Sequence, residues 1–394
     1  MADDDVLSVG GDPPPPSHAL KVALVIALIA FGGWRLTDGA RSGPDAAPST
    51  PPSAVPTPTP TPARAASPSA SPRPTSDHRH VSVGAPTTAR LLLAGPVAMD
   101  VPLDGSRTRT LGVQGAVTQA VHAASGDFVL ATPGGGRVGA YFVSRDRGRI
   151  TPLGAAAAIV PASQPDMVWL ADAGSAIGQL RLMTSTGVVL RLIDTGPDSR
   201  AVIREVPEGF VTVRVRDHSA SLELWDAHTG EVVRSFGTGE RVTVLAANAT
   251  HVAFTLPACP RECPIFLSHL ATGDTKRVTV PAVWHSGAAE FSPDGRTLAV
   301  VGVRGYEGLP GHNRLLLVDV AEGRTRAARS LDPRNQPLSL ISWAPDGEWV
   351  FAASRGPASN VLGYQVRESR VRHVVDARAG VDVTFDDLTA LTAY

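Results

Sequence analysis

Short, largely apolar runs recur through the chain from residue 89 onward, and a compact polar turn introduces many of them. The pattern is plainest in FSPDGRTLAV (291–300) and WAPDGEWVFA (343–352): an aromatic residue, a Ser/Ala-Pro-Asp-Gly turn, then a mostly apolar run. Proline presets φ at the second turn position, aspartate tolerates the third, and glycine accepts the dihedrals that follow. Each unit therefore predicts a β-hairpin. Weaker copies, with the turn residues partly replaced, are AASGDFVLAT (123–132), ASQPDMVWLA (162–171), EVPEGFVTVR (205–214), AANATHVAFT (246–255) and TFDDLTALTA (384–393), making seven in all.

A second series of strand pairs follows these hairpins, best seen in SLELWDAHTGEVVRSF and RLLLVDVAEGRTRAARS. Its turn glycines fall at Gly105, Gly148, Gly187, Gly230, Gly273 and Gly323, with Arg370 in the seventh place. A period of roughly 40 to 50 residues with four short strands per unit is the pattern of a propeller blade. The chain is thus read as all-β, with a seven-bladed β-propeller over residues 89–394.

The hairpins FSPDGRTLAV and WAPDGEW resemble the TolB-type PD40 repeat, and LELWDAHTGEVVRSF is similar to the WD40 strand carrying the Trp-Asp dipeptide, here Trp225 and Asp226. The strong PDG copies cover the last third of the chain; the other units match in pattern. The resemblance implies a propeller of the membrane-anchored bacterial type and says little about activity, because propellers host unrelated functions. The structural roles expected for Asp294, Asp346, Trp225 and Asp226 are turn formation and packing. Ring closure is expected from a composite blade, with VAMDVPLDG and SRTRTLG as its outer strands and GVDVTF and LTALTAY as its inner ones, which would remove exposed sheet edges.

Residues 1–88 have a different character. Residues 1–18 are acidic and Gly/Pro-rich and are expected to be a disordered tail. Residues 19–36 contain the uncharged run VALVIALIAFGGW, and as a helix would span about 27 Å, just enough for a bilayer core with Lys21 and Arg35 at its ends. A retained single-pass transmembrane anchor is expected, the alternative being a cleaved signal peptide. Residues 37–88 form a Pro/Ser/Thr-rich stretch with too few apolar side chains to fold, read as a disordered stalk. From its composition and the resemblance the propeller is expected on the extracytoplasmic side of the cell membrane, although Lys21 before the segment against Arg35 and Arg41 after it weakly disfavours that side.

The formal net charge is −1 and no block of like charge suggests a nucleic-acid partner. Cys259 and Cys263, in ACPRECP, are read as a disulfide clip in an exported loop, with free thiols or a metal site as the alternatives. No nucleophile elbow, zinc-protease helix or phosphate loop is present, and no catalytic residue, cofactor or metal is assigned.

The expected function is a non-enzymatic protein-binding or scaffolding module whose partner is a protein. The alternative is a channel-centred hydrolase or lyase, for which the acids and histidines on the innermost strands are His122, Glu205, Glu290 and Asp382. The long connections, RGYEGLPGHN, LPACPRECP, RVRDHSA, SRGPASN, VPAVWHSG and LDPRNQP, fall on the face opposite the PDG turns. That face is expected to bind, through Trp284, His285, Arg304, Tyr306, Glu307 and His312, because aromatic and Arg side chains are enriched at interface hot spots. The alternative is that these are tolerated insertions.

Overall fold

The computed structural model describes residues 88–394, except 105, 107, 134–135, 147, 173–177, 197–198, 257–263, 279, 281–283, 305–311, 333–337, 355–359, 368–369 and 377–387. The expected tail, anchor and stalk at 1–18, 19–36 and 37–88 lie outside the described residues but for position 88, as do Cys259 and Cys263. Among the described residues no helix is long and apolar enough to cross a membrane.

Three strands open the fold: β1 (Arg90–Ala94), β2 (Met99–Pro102) and β3 (Arg109–Thr110). Blade 1 comprises β4 (Ala116–Ala123), β5 (Gly126–Thr132), β6 (Gly139–Ser144) and β7 (Ile150–Ala155). Blade 2 holds β8 (Ala158–Pro161), β9 (Met167–Ala171), β10 (Gly178–Thr184) and β11 (Val189–Gly196). Blade 3 runs through β12 (Ser199–Val206), β13 (Gly209–Arg216), β14 (Ser219–Asp226) and β15 (Glu231–Gly239). In blade 4 the strands are β16 (Thr243–Ala247), β17 (His251–Thr255), β18 (Ile265–His269) and β19 (Thr275–Val278). Blade 5 is β20 (Trp284–Phe291), β21 (Thr297–Arg304), β22 (His312–Asp319) and β23 (Arg324–Asp332). Blade 6 is β24 (Leu338–Trp343), β25 (Trp349–Ser354), β26 (Asn360–Gln365) and β27 (Arg370–Asp376), and β28 (Ala390–Ala393) completes the set. Seven four-stranded antiparallel sheets result, six in sequence order and one in the order β28-β1-β2-β3. The chain is a seven-bladed propeller.

The closing blade corrects the expected division of strands. It takes one strand from residues 390–393 and three from residues 90–110, whereas two from each end were expected. RLLLA is a paired strand: Leu91 lies opposite Val101 on one side and Ala393 on the other. The innermost position belongs to ALTA, and GVDVTF (380–385) lies outside the described residues. Four consecutive apolar residues, Leu91 to Ala94, are buried on both faces, which suits a strand with sheet neighbours on either side. The tie extends past the strand, since Arg90 N–H donates to Tyr394 O at 2.8 Å and Tyr394 N–H donates to Arg90 O at 3.0 Å.

The hydrophobic core is distributed. Seven clusters of buried residues occupy the seven boundaries between adjacent sheets; one joins Val160 and Trp169 of blade 2 to Phe210 and Trp225 of blade 3, and another joins Leu92 and Ala94 of the closing blade to Val117 and Val129 of blade 1. Second strands such as β5 and β25 are therefore buried on both faces. Fully burying each large side chain contributes about 1.5–3 kcal/mol, so every boundary adds several such terms.

The turns follow from the sequence. Gly295 and Gly347 both take φ of 70°, and their N–H groups donate to Ser292 O and Ala344 O, closing the two PDG turns. Asp294 accepts from the Ser292 hydroxyl at 2.6 Å and from Arg296 N–H at 3.0 Å, which holds its carboxylate below the ordinary range. Asp346 accepts from Glu348 N–H, while Asp226 accepts from His228 N–H and the Thr229 hydroxyl. Trp225 is buried in its blade boundary. One expected long connection is absent: in RVRDHSA, Arg216 pairs with Ser219 across a two-residue turn in which Asp217 and His218 take φ of 45° and 65°.

Candidate functional site: the central channel

The first strands of the blades converge on the ring axis and enclose a channel of about 900 Å³. Six of these seven inner strands are those expected from the sequence, and β28 is the seventh. Each inner strand except β28 ends in the hairpin that leads to its second strand, so one end of the channel lies at the hairpins. The titratable groups on the wall gather there: His122, Arg204 and Glu290 fall within the last three residues of β4, β12 and β20, and Tyr394 directly follows β28. At the opposite end the same wall presents Thr243, Gly287, Ser339 and Ala390, none of them charged.

Inner-strand side chains also tie blade to blade. Gln119 on β4 donates to Ile159 O at 2.6 Å and accepts from Ile159 N–H at 2.8 Å, imitating a strand pair where none exists. Glu205 accepts from Ser163 N–H at 2.7 Å and from the Trp169 indole at 3.0 Å. Glu290 accepts from Trp343 N–H at 2.9 Å, while the Trp343 indole donates to Glu290 O at 3.0 Å. The Ser342 hydroxyl oxygen accepts from Ala393 N–H at 2.9 Å, and the Thr389 hydroxyl donates to Val117 O, carrying the same device across the closing blade. These bonds occupy buried backbone groups at blade boundaries, where an unmet donor or acceptor is expensive.

His122 donates from Nδ1 to Asp127 at 2.8 Å and accepts at Nε2 from Arg145 at 2.7 Å. Its ring stacks on Tyr394. Burial pushes the Tyr394 hydroxyl well above its usual pKa, reinforced by its hydrogen bond to Asp100, and Asp100 in turn holds Arg90 through two bonds of 3.0 and 2.7 Å. Burial also raises Glu290, to about 7, although hydrogen bonds from Trp343 N–H and Ser342 favour its charged form. Among the described residues no group of three His, Cys, Asp or Glu side chains could hold a metal ion.

Of the channel residues expected from the sequence, His122, Glu205 and Glu290 lie at blade boundaries near the hairpin end, and Asp382 lies outside the described residues. Sequence reasoning passed over Arg204 and Tyr394. A search of the inner strands for cations as well as acids would have found Arg204, next to Glu205; Tyr394 needed the identity of the closing strand. The expected rim residues fall on blade 5. Trp284 lies opposite Arg304, Arg304 opposite His312, and His285 opposite Val303, so three neighbouring strands carry Trp284, Arg304 and His312 in one row. That row is at the end of the blade away from its PDG turn. Tyr306 and Glu307 lie outside the described residues.

No family model matches the chain. Among curated proteins, dipeptidyl-peptidase 5 of Porphyromonas gingivalis is 24% identical over 144 residues, 36% of this chain. That match spans 20% of the peptidase's length. Among solved structures, TolB from Acinetobacter baumannii aligns with a TM-score of 0.46 and 13% identity, covering 77% of this chain and 66% of that one. A putative 6-phosphogluconolactonase from Bacteroides fragilis aligns with a TM-score of 0.49 and 11% identity over 78% of this chain and 98% of that one. Its seven blades make the chain a β-propeller, and its PDG turns resemble the TolB-type repeat.

Proposed function

We propose that the chain is a non-enzymatic protein-binding module, anchored by residues 19–36 in the cell membrane and displayed on the extracytoplasmic side by the 37–88 stalk. The binding surface is the blade 5 rim opposite the PDG turns: Trp284, His285, Arg304, Tyr306, Glu307 and His312. The observation that carries this reading is the row of Trp284, Arg304 and His312 across three hydrogen-bonded strands. A sheet end that carries an aromatic, a cation and a histidine at one register position is suited to a hot spot. No bound cofactor is needed for it.

The test is partner capture from detergent-solubilised membranes. Replacing Trp284, Arg304 and Tyr306 together by Ala is expected to abolish capture without moving the melting midpoint. Three matched changes on the hairpin face, at Pro293, Arg296 and Glu348, are expected to leave capture intact. Capture retained in the first variant, or lost equally in both, rejects the rim as the binding surface.

A further inference from the structure

Arg204 is the single Lys or Arg side chain on the channel wall among the described residues. It is part-buried, and the one hydrogen bond of its guanidinium among those residues is a long one, to Ala247 O at 3.3 Å. A guanidinium carries five N–H donors in a planar fork that matches a carboxylate, so most of that capacity is unused. Burial lowers the Arg204 pKa, but an arginine remains a cation. A part-buried guanidinium with one long protein bond has donors left for an anion that enters the channel.

The resident acid is Glu290, two blades further round. Among the described residues it is the group whose charge acts on Arg204, yet the two form no direct ion pair. Glu290 is held instead by Trp343 N–H and Ser342 of blade 6, and Arg204 is the charged group that faces it. Around them the wall mixes apolar side chains, Val121, Leu245 and Leu391, with polar ones, Asn248, Ser292 and Thr392. The channel volume falls within the usual range for small-ligand sites.

We propose that the hairpin end of the channel binds a carboxylate borne on an apolar group, with Arg204 as the receptor and Glu290 as its competitor. The carboxylate belongs to a peptide C-terminus or to a small organic acid. When Glu290 is protonated, Arg204 is free for the ligand; when it ionises, its charge engages Arg204 and repels the ligand. Raised to about 7, Glu290 makes that exchange near neutrality. This site is at the opposite end of the ring axis from the blade 5 rim and stands or falls independently of it.

The full-length chain in detergent is titrated calorimetrically with N-acetyl-Leu-Leu-Leu, with its C-terminal amide, and with octanoate. Near pH 6 the carboxylates are expected to bind at least about tenfold tighter than the amide, as for a ligand that needs a charge-assisted bond. Tighter binding of the tripeptide acid identifies a chain end as the source, and tighter binding of octanoate identifies a small acid. At about pH 8.5, where only about 3% of Glu290 remains protonated, affinity is expected to fall about 30-fold. Glu290→Gln is expected to remove that pH dependence, and Arg204→Met to abolish carboxylate binding. Equal binding of acid and amide, no binding by any probe, or retained binding in a folded Arg204→Met protein overturns the proposal. Should Arg204→Met fail to fold, a pH dependence that persists in Glu290→Gln overturns it instead.

Discussion

His122 and Tyr394 stack face to face, with ring centroids 3.8 Å apart and planes 13° from parallel, across the boundary between blade 1 and the closing blade. The contact joins residues far apart in sequence, and it links two sets of bonds, one from Arg90 through Asp100 to Tyr394 and one from His122 to Asp127 and Arg145. Tyr394→Ala is expected to destabilise the propeller by about 2 kcal/mol through lost stacking and the lost hydrogen bond to Asp100. Deleting Ala390–Tyr394 removes β28 and bares the inner edge of β1, for which a loss on the order of 5 kcal/mol or more is expected. Thermal melting checks both, and an unchanged midpoint on deletion would contradict closure through β28.

Glu290 makes stability depend on pH. Its folded pKa, raised from 4.5 to about 7, means that between those values the folded state holds a proton the unfolded state has released. Stability is therefore expected to fall as pH rises through that window and to level off above it, by on the order of 3 kcal/mol in all. Denaturant titrations near pH 5 and pH 8 should show the loss in the wild type and its absence in Glu290→Gln.

The paired bonds of Gln119 give a second stability test. Gln119→Ala leaves both Ile159 N–H and Ile159 O without their partner at a buried blade boundary, and about 2–4 kcal/mol should be lost. Urea denaturation measures it; a change under about 0.5 kcal/mol would mean that the bonds add nothing beyond surface contacts.

The edge of blade 2 is more apolar than the outer edges of blades 4 and 5. Val188, Val189, Leu190 and Leu192 on and before β11 are between 45% and 57% exposed, whereas the outer strand of blade 4 carries Lys276 and Arg277 and that of blade 5 carries Arg324 and Arg326. Charged edges resist strand pairing and apolar ones invite it. Leu190→Lys with Leu192→Lys is expected to leave the melting midpoint within a few degrees and to lower light scattering at high concentration; unchanged scattering would count against association through this edge.

The cysteines test the side of the membrane. With the propeller exported, Cys259 and Cys263 are expected to resist a thiol label until reductant is added. Immediate labelling of both in protein isolated without reductant would argue against the extracytoplasmic placement.

Sequence alone determined the seven blades, because the blades repeat local turn chemistry: Asp294 and Gly295, Asp346 and Gly347, and Asp226 act through neighbours within a few residues. It also located six inner strands and, with them, Glu205 and Glu290. The partition of the closing blade was beyond it. Leu91 to Ala94 and Ala390 to Ala393 are apolar runs without a shared turn, and their register is set by pairing over some three hundred residues, which no local pattern records. The polarised channel was decided in the same way. Arg204 and Glu290 sit on strands two blades apart, and only the closed ring brings both to the channel wall, where part-burial lowers the pKa of the arginine and raises that of the carboxyl.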